Sequence, residues 1–185
     1  MLVNLRRAVA FSVLLIVLCL AYTLVETVVG QTFFASQANG SVVKVGKVII
    51  GSSSIGQSWT GPEWFQGRDD PDDAAASGPT NYGPRSLQLV EQVQQRITQL
   101  QKEGITATNG LVTGSGSGLD PDISPADAYA QVDAVAKANH LPVAEVRALV
   151  ARTAAPRYDG IFGEPYVDVL SLNIALAKLT GELKT

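Results

Sequence analysis

Cysteine and histidine are nearly absent from this sequence, and their absence limits the chemistry available to it. The 185 residues include one cysteine, Cys19, and one histidine, His140. No disulfide can form within the chain, and a zinc site built on several thiolates is not possible. The folded part of the chain must therefore hold together without covalent staples.

An excess of positive charge is also missing. The net charge is −3 at pH 7, and no segment forms the basic stripe that binding to a phosphate backbone requires. Nucleic acid is therefore not expected as a partner.

Apolar residues, in contrast, form one long run near the amino terminus. Residues 8–25 contain no charged residue and no proline. As a helix these residues span about 27 Å, and extension to Gly30 gives about 35 Å, enough to cross a hydrocarbon core of about 30 Å. We predict a transmembrane helix over residues 8–30, with Glu26 either at the headgroups or facing a partner helix.

Positive charges on one side of this run predict its orientation. Arg6 and Arg7 precede the run, and the next basic residue is Lys44. The positive-inside rule then puts residues 1–7 in the cytoplasm and residues 31–185 outside it, at the cell (inner) membrane. The apolar core is longer than that of a signal peptide, which is about 7 to 15 residues, so we expect an uncleaved anchor in contact with membrane lipid.

The segment 31–185 is predicted to form a single α+β domain, because its strand and helix patterns do not alternate regularly. Residues 41–50 favour a β-hairpin around Gly46. Leu111 and Val112 are predicted to end a short strand, and residues 155–165 to form a loop. Helices are predicted over residues 84–103, from a cap at Ser124, from Pro142, and in a tail that ends near Thr180. The first of these has an apolar stripe expected to face the core: Leu87, Val90, Val93, Ile97 and Leu100.

An acidic cluster and a glycine-rich segment are the features that most suggest a site. The cluster lacks the spacing of a calcium loop and is predicted to be solvated; its members are Asp69, Asp70, Asp72 and Asp73. The glycine-rich segment, residues 114–121, is called the glycine loop below. It consists of Gly114, Ser115, Gly116, Ser117, Gly118, Leu119, Asp120 and Pro121.

The glycine loop does not fit the known phosphate or nucleophile motifs. No lysine follows the glycines, the third glycine comes one residue too early for a dinucleotide fingerprint, and Gly116 stands where a nucleophile elbow needs serine. Asp120 and Asp122 would also compete with a phosphate for the next helix terminus. We therefore expect a structural turn or a subunit contact, with no catalytic residue, no metal and no directly bound cofactor.

Two alternatives remain open from the residues alone. One is a membrane-anchored extracytoplasmic hydrolase that uses Ser115 or Ser117 with His140. The other is an anchored module that binds a small ligand. His140 lies between two predicted helices, where an exposed or helix-capping role is expected.

The order and spacing of several motifs resemble those of one known family. The most specific is LVTGSGSGLDP at residues 111–121, and the resemblance covers nearly the whole chain. In this respect the chain is similar to the C subunits of Kdp-type potassium-transporting ATPases. Other matching segments are residues 37–41, 51–52, 55–57, 64–68, 74–78, 81–84, 123–126, 163–165 and 167–176.

The resemblance implies a complex that handles ATP and potassium. Its expected partners are the channel-like A subunit, which binds potassium, the P-type B subunit, which hydrolyses ATP, and the small F subunit. It implies that the C subunit is needed for assembly and activity, and that it works as a catalytic chaperone raising the ATP affinity of the B subunit. Because the predicted orientation puts the glycine loop on the other side of the membrane from ATP, we expect this effect to be indirect.

The chain departs from the family pattern at three places. Arg68, Asp69 and Asp70 stand where the family usually has Arg-Pro-Ser. Asp122 stands where histidine is usual, and Asp168 where asparagine is usual. These departures argue against any role that needs a histidine beside the glycine loop.

Overall fold

The computed structural model describes residues 2–70 and 75–183. The chain divides after Val42 into two compact units. Asp72 and Asp73 of the acidic cluster lie outside the described residues, as does Ala74.

The first unit is dominated by one long apolar helix, α1 (Leu2–Phe33), followed by the short α2 (Ala35–Ala38). No residue of α1 is buried, and the helix is long and apolar enough to cross a membrane. Hydroxyl groups of Thr23, Thr27 and Thr32 donate to backbone carbonyls four residues earlier, at 2.6 to 2.8 Å. These polar groups are therefore satisfied within the helix, as a hydrocarbon environment requires.

The second unit mixes helices with two small sheets, which confirms the predicted α+β class. A two-stranded sheet of β1 (Val42–Val45) and β2 (Val48–Ser52) turns at Gly46, where φ is +60°. The helices α3 (Leu87–Lys102) and α4 (Asn109–Val112) follow. An antiparallel pair, β3 (Asp122–Ile123) and β4 (Val167–Asp168), brackets α5 (Pro125–Ala138) and α6 (Val143–Thr153), and α7 (Val169–Leu179) comes last.

The main core forms where α5, α6 and α7 pack together. Phe65 and Ile123 join it from outside these helices. α5 begins as predicted, since Ser124 and Asp127 form a reciprocal capping box and Pro125 occupies the first turn. The indole rings of Trp59 and Trp64, 5.2 Å apart between ring centres, cover one side of this core.

The apolar stripe of α3 was predicted to be core throughout, and this is wrong for its first half. Leu87 is 74% exposed and Val90 is 60% exposed, whereas Leu100 is fully buried. A second, smaller core that contains Leu100 and Leu111 packs against Val93 and Ile97 of α3, and it does not include Leu87 or Val90. The helix also begins at Leu87, after the cap residue Ser86, rather than at Pro84.

One further element prediction was wrong. Leu111 and Val112 lie in the short helix α4, because the Thr108 side chain accepts a hydrogen bond from the Leu111 backbone and caps a helical turn there. Residues 154–166 belong to no helix or strand of the fold, which agrees with the loop predicted over residues 155–165, but two isolated β-bridges close part of this loop, as described below. The helical turn and the bridges depend on hydrogen bonds that apolar periodicity does not reveal.

Candidate functional site

A single carboxylate, that of Asp70, ties the two ends of the glycine loop together. Its Oδ1 accepts from the Ser115 backbone N–H at 2.5 Å. Its Oδ2 accepts from the Ser115 hydroxyl at 2.7 Å and from the Asp120 backbone N–H at 3.1 Å. Hydrogen bonds of this kind, from N–H and O–H donors to a carboxylate, are among the stronger ones that a loop can make.

Backbone groups of the glycine loop are bound by three distant segments. The carbonyl of Leu119 accepts from the N–H of Gly56 at 2.8 Å, and that of Ser117 accepts from the N–H of Gly78 at 2.7 Å. The guanidinium of Arg68 donates to the carbonyl of Gly114 at 3.1 Å. The loop is therefore part of the folded domain and not a free flap.

The serine hydroxyls of the loop serve its own structure. Ser115 Oγ accepts from the Gly118 N–H at 2.9 Å while donating to Asp70, and Ser117 Oγ accepts from the Leu119 N–H at 3.1 Å. The two hydroxyl oxygens also lie 3.2 Å apart, within hydrogen-bond distance of each other, so Ser115 Oγ has three partners and Ser117 Oγ has two. Replacement of Ser115 by alanine should therefore cost more than replacement of Ser117.

The acidic cluster was predicted to be solvated, and this is wrong for the two members that the structure describes. Asp69 and Asp70 are partly buried. Asp69 Oδ2 accepts from the Gln92 side chain at 2.9 Å, and its Oδ1 lies 3.9 Å from the guanidinium of Arg96. Asp69 thus links residues 69–70 to α3, while Asp70 links them to the glycine loop.

Two buried amide side chains position the segment that carries Asp69 and Asp70. The Asn173 amide exchanges two hydrogen bonds with the backbone of Phe65, at 2.9 and 2.8 Å. The Gln131 amide does the same with the backbone of Gln66, at 2.7 and 3.0 Å. Because Gln131 lies in α5 and Asn173 in α7, these four hydrogen bonds fix the backbone of residues 65–66 to the core helices.

A cavity of about 220 Å³ lies between the glycine loop, residues 56–60, residues 67–70 and α3. Two guanidinium groups line it, but both already donate to protein acceptors: Arg68 to Gly114, and Arg96 to the carbonyl of Leu111 at 3.2 Å. Three carboxylates, those of Asp69, Asp70 and Asp120, line the same cavity. This charge balance disfavours a polyphosphate, and the volume is below the range of about 300 to 1,000 Å³ typical of ligand sites.

Two glycines of the loop differ in how closely other atoms surround them. Gly118 is buried with φ +69°, and a Cβ there would lie 2.5 Å from the carbonyl oxygen of Gly78. Gly116 is exposed, and a Cβ there would meet no atom within 4 Å. The domain itself therefore requires glycine at position 118 but gives no steric reason for glycine at position 116.

The remaining loop residues divide by exposure. Gly114 and Ser117 are exposed like Gly116, so the apex of the loop faces solvent. Ser115, Leu119, Asp120 and Pro121 are partly buried. A contact between these eight residues and another subunit stays a prediction.

Two carboxylates face each other just beyond the loop, where β3 pairs with β4. Asp122 is directly opposite Asp168 in the register. Burial, with the charges of Asp168 and Asp120, raises the pKa of the Asp122 carboxyl to about 6. Asp168 Oδ1 caps α7 by accepting from the Ser171 N–H, while its buried Oδ2 has no hydrogen-bond partner among the described residues.

The structure does not assemble the alternative hydrolase. Ser115 donates to Asp70 and not to an imidazole. His140 is exposed with φ +56°, past the carboxyl end of α5, whereas the glycine loop precedes the amino end of that helix. The 14 residues of α5 separate the two by about 21 Å of helix. The expected position of His140 at a helix end is confirmed.

Sequence reasoning missed Asp70, Asn173 and Gln131, which build the surroundings of the loop. Each contacts residues far away in the chain: Asp70 those 45 and 50 positions later, Asn173 one that is 108 positions earlier. The one available signal for Asp70 was its departure from the usual family residue, two positions after Arg68. A polar residue within an apolar stretch, such as Asn173 in VLSLNIAL, was the signal for the amides.

Comparison with known proteins finds likeness along nearly the whole chain. A model of the family described as KdpC, K⁺-transporting ATPase, c chain, matches residues 5–178. A potassium-transporting ATPase KdpC subunit from Allorhizobium ampelinum is 45% identical over 184 residues, which cover 95% of this chain and 96% of the relative. Subunits of the same description from Burkholderia orbicola and Paraburkholderia phytofirmans are 46% and 44% identical, over 91% and 92% of this chain and 92% and 94% of the relatives.

Proposed function

Because the chain belongs to the KdpC family of K⁺-transporting ATPase subunits, we propose that it is a non-catalytic accessory subunit of such a complex. Its helix α1 anchors it in the membrane, and its second unit lies outside the cytoplasm. Arg6 and Arg7 before the apolar run support this orientation. The serine hydroxyls, engaged in the loop's own hydrogen bonds, support a non-catalytic role.

The proposed partners are the potassium-binding A subunit, the ATP-hydrolysing B subunit and the small F subunit. The single observation that carries a contact through the glycine loop is Gly116, which is exposed and has open space around it. Glycine at such a place leaves the backbone bare, so that another chain can approach it closely. The neighbouring segments hold the loop in one shape, which lowers the entropic cost of docking.

The proposed effect on ATP affinity is indirect. The cavity beside the loop is small, and its three carboxylates outnumber its two guanidinium groups, so we do not assign ATP to it. An accessory protein that binds one conformation of the pump better than another shifts the population towards that conformation. Raised ATP affinity of the B subunit then follows by linkage, without any contact between this chain and the nucleotide.

The test is purification of the complex through a tag on this chain, from cells grown at low external potassium. We expect the other ATPase subunits to co-purify with the native chain. Gly116→Val should lower their recovery at least severalfold without changing the level of the chain itself. Gly83→Val is the matched control, because Gly83 is also exposed with nothing within 4 Å of a Cβ.

Two results would contradict the proposal. Absence of any other ATPase subunit from the purified native chain would remove the accessory role. Equal recovery with Gly116→Val and Gly83→Val would remove the glycine loop as the contact, and would leave the accessory role standing.

A further inference from the structure

Residues 155–166 form a small hairpin that stands apart from the two named sheets. Ala155 and Tyr166 exchange two backbone hydrogen bonds, at 2.8 and 3.1 Å, and Tyr158 and Phe162 exchange two more, at 2.9 Å each. The chain reverses between these bridges through Asp159 at φ +50° and Gly160 at φ +73°. We call residues 158–162 the hairpin tip.

An ion pair stiffens the hairpin below its tip. One guanidinium nitrogen of Arg157 lies 2.9 and 2.7 Å from the two carboxylate oxygens of Glu164. The pair links the two sides of the hairpin between the bridges. Together with four bridging hydrogen bonds it fixes the tip in one shape before any partner arrives, which reduces the entropy lost on binding.

The hairpin tip exposes large apolar side chains. Tyr158 is 75% exposed, Ile161 73% and Phe162 63%. With Tyr166 they make up four of the ten exposed large hydrophobic residues that the structure describes after Val42. Such a concentration in nine residues is typical of an interaction site, because a partner that covers these side chains removes their apolar surface from water.

The charge of the tip distinguishes a protein partner from a lipid surface. Arg157 is engaged with Glu164, and the exposed carboxylate of Asp159 is in no ion pair with another described residue. Surfaces that enter an anionic bilayer carry free lysine or arginine beside their aromatic residues. The tip has the opposite sign, which fits an apolar recess with a basic group at its rim.

From this combination we propose that the hairpin tip is a docking knob for another subunit of the ATPase, received in an apolar recess that carries a lysine or arginine facing Asp159. The inference rests on the proposed function, since it needs a partner subunit on the same side of the membrane. Tyr158, Ile161 and Phe162 supply the apolar contact, and aromatic residues of this kind dominate the binding energy of protein interfaces.

The first experiment compares two double substitutions in the full-length chain. Ile161→Ser with Phe162→Ser should lower recovery of the other ATPase subunits roughly tenfold or more. Val48→Ser with Ile49→Ser is the matched control, because these residues are 68% and 62% exposed on β2; it should leave recovery within about twofold. Asp159→Lys should lower recovery as well, with a smaller loss at high salt.

A second experiment covers the case in which the double variant does not fold. A photoreactive phenylalanine analogue replaces Tyr158, which keeps an exposed aromatic group at the tip, and the assembled complex is irradiated. The expected product is an adduct between this chain and another ATPase subunit. Adducts with lipid only, with a second copy of this chain only, or no adduct at all would overturn the inference.

The two proposals can fail separately. If no other ATPase subunit co-purifies with the native chain, both the proposed function and the proposed role of the hairpin tip are contradicted. If the native complex forms and the hairpin variant is recovered with as much of the other subunits as the β2 control, only the docking knob fails.

Discussion

The glycine loop and the hairpin tip are both exposed turns that contain glycine, yet they are held in shape in opposite ways. The loop depends on hydrogen bonds from residues 40 or more positions away, including those of Asp70 and Ser77. The hairpin is closed by bonds within its own 12 residues, from Ala155 to Tyr166. The shape of the glycine loop therefore depends on the folding of the whole domain, whereas the shape of the hairpin depends on its local sequence.

The largest expected effect concerns glycine in the two turns. Gly118→Ala should lower the free energy of unfolding by roughly 2 to 5 kcal/mol, because a left-handed conformation and a clash with Gly78 combine. Gly160→Ala meets the same kind of backbone conformation, φ +73°, with nothing within 4 Å, and should cost about 1 to 2 kcal/mol. Unfolding of the full chain can be followed by fluorescence of Trp59 and Trp64, its two tryptophans. Equal losses would show that the close approach at Gly118 does not exist.

A second pair of substitutions removes one carboxylate that supports each turn from outside it. Asp70→Ala leaves three donors of the glycine loop without their acceptor and should cost roughly 2 to 4 kcal/mol. Glu164→Ala removes an ion pair whose carboxylate side chain is 80% exposed, and should cost less than about 1 kcal/mol. The same fluorescence measurement compares them. A larger loss of stability for Glu164→Ala than for Asp70→Ala would contradict the view that the glycine loop depends on distant residues and the hairpin only on weak local contacts.

A third effect, smaller than those of Gly118→Ala and Asp70→Ala, depends on pH. The folded-state pKa of Asp122, about 6, lies above its ordinary value of 3.8, so the folded chain binds this proton more tightly than the unfolded chain. The contribution of Asp122 to stability is therefore greatest at low pH and falls as pH rises from about 4 to about 6. Asp122→Asn should raise stability at pH 7.5 by about 1 kcal/mol, a figure reduced because the side chain is only partly buried. Exposed Asp133→Asn is the control.

The measurement is the difference in unfolding free energy between the native chain and each variant, at several pH values. For Asp122→Asn the difference should grow between pH 4 and pH 6 and then level off. A flat difference across this range, or one that matches the Asp133→Asn control, would contradict the raised pKa of Asp122, which is caused by its burial and by the charges of Asp168 and Asp120.

Local signals in the sequence predicted much of the fold. The capping box at Ser124, the turn at Gly46 and the exposed end of a helix at His140 were all confirmed. Each depends on residues within a few positions of one another. Backbone geometry and capping operate over that distance, so one sequence is enough to predict them.

The surroundings of the candidate site could not be predicted in the same way. The sequence around Asp70 is typical of a solvated acidic loop, and only the folded domain brings Asp70 to Ser115. Leu87 and Val90 recur at the helical spacing that is typical of a core-facing stripe. They are nevertheless exposed, because the second core does not include them. Periodicity shows that residues share a face and does not show whether anything covers that face.

We propose that the second unit acts on the ATPase from outside the cytoplasm, and a measurement of membrane topology decides between this orientation and the opposite one. A reporter that is active only outside the cytoplasm, fused after Thr185, should be active in intact cells, and a reporter active only in the cytoplasm should be silent at the same position. The reverse pattern would contradict the account, because it would put the glycine loop and the hairpin tip on the side of the membrane where ATP is bound.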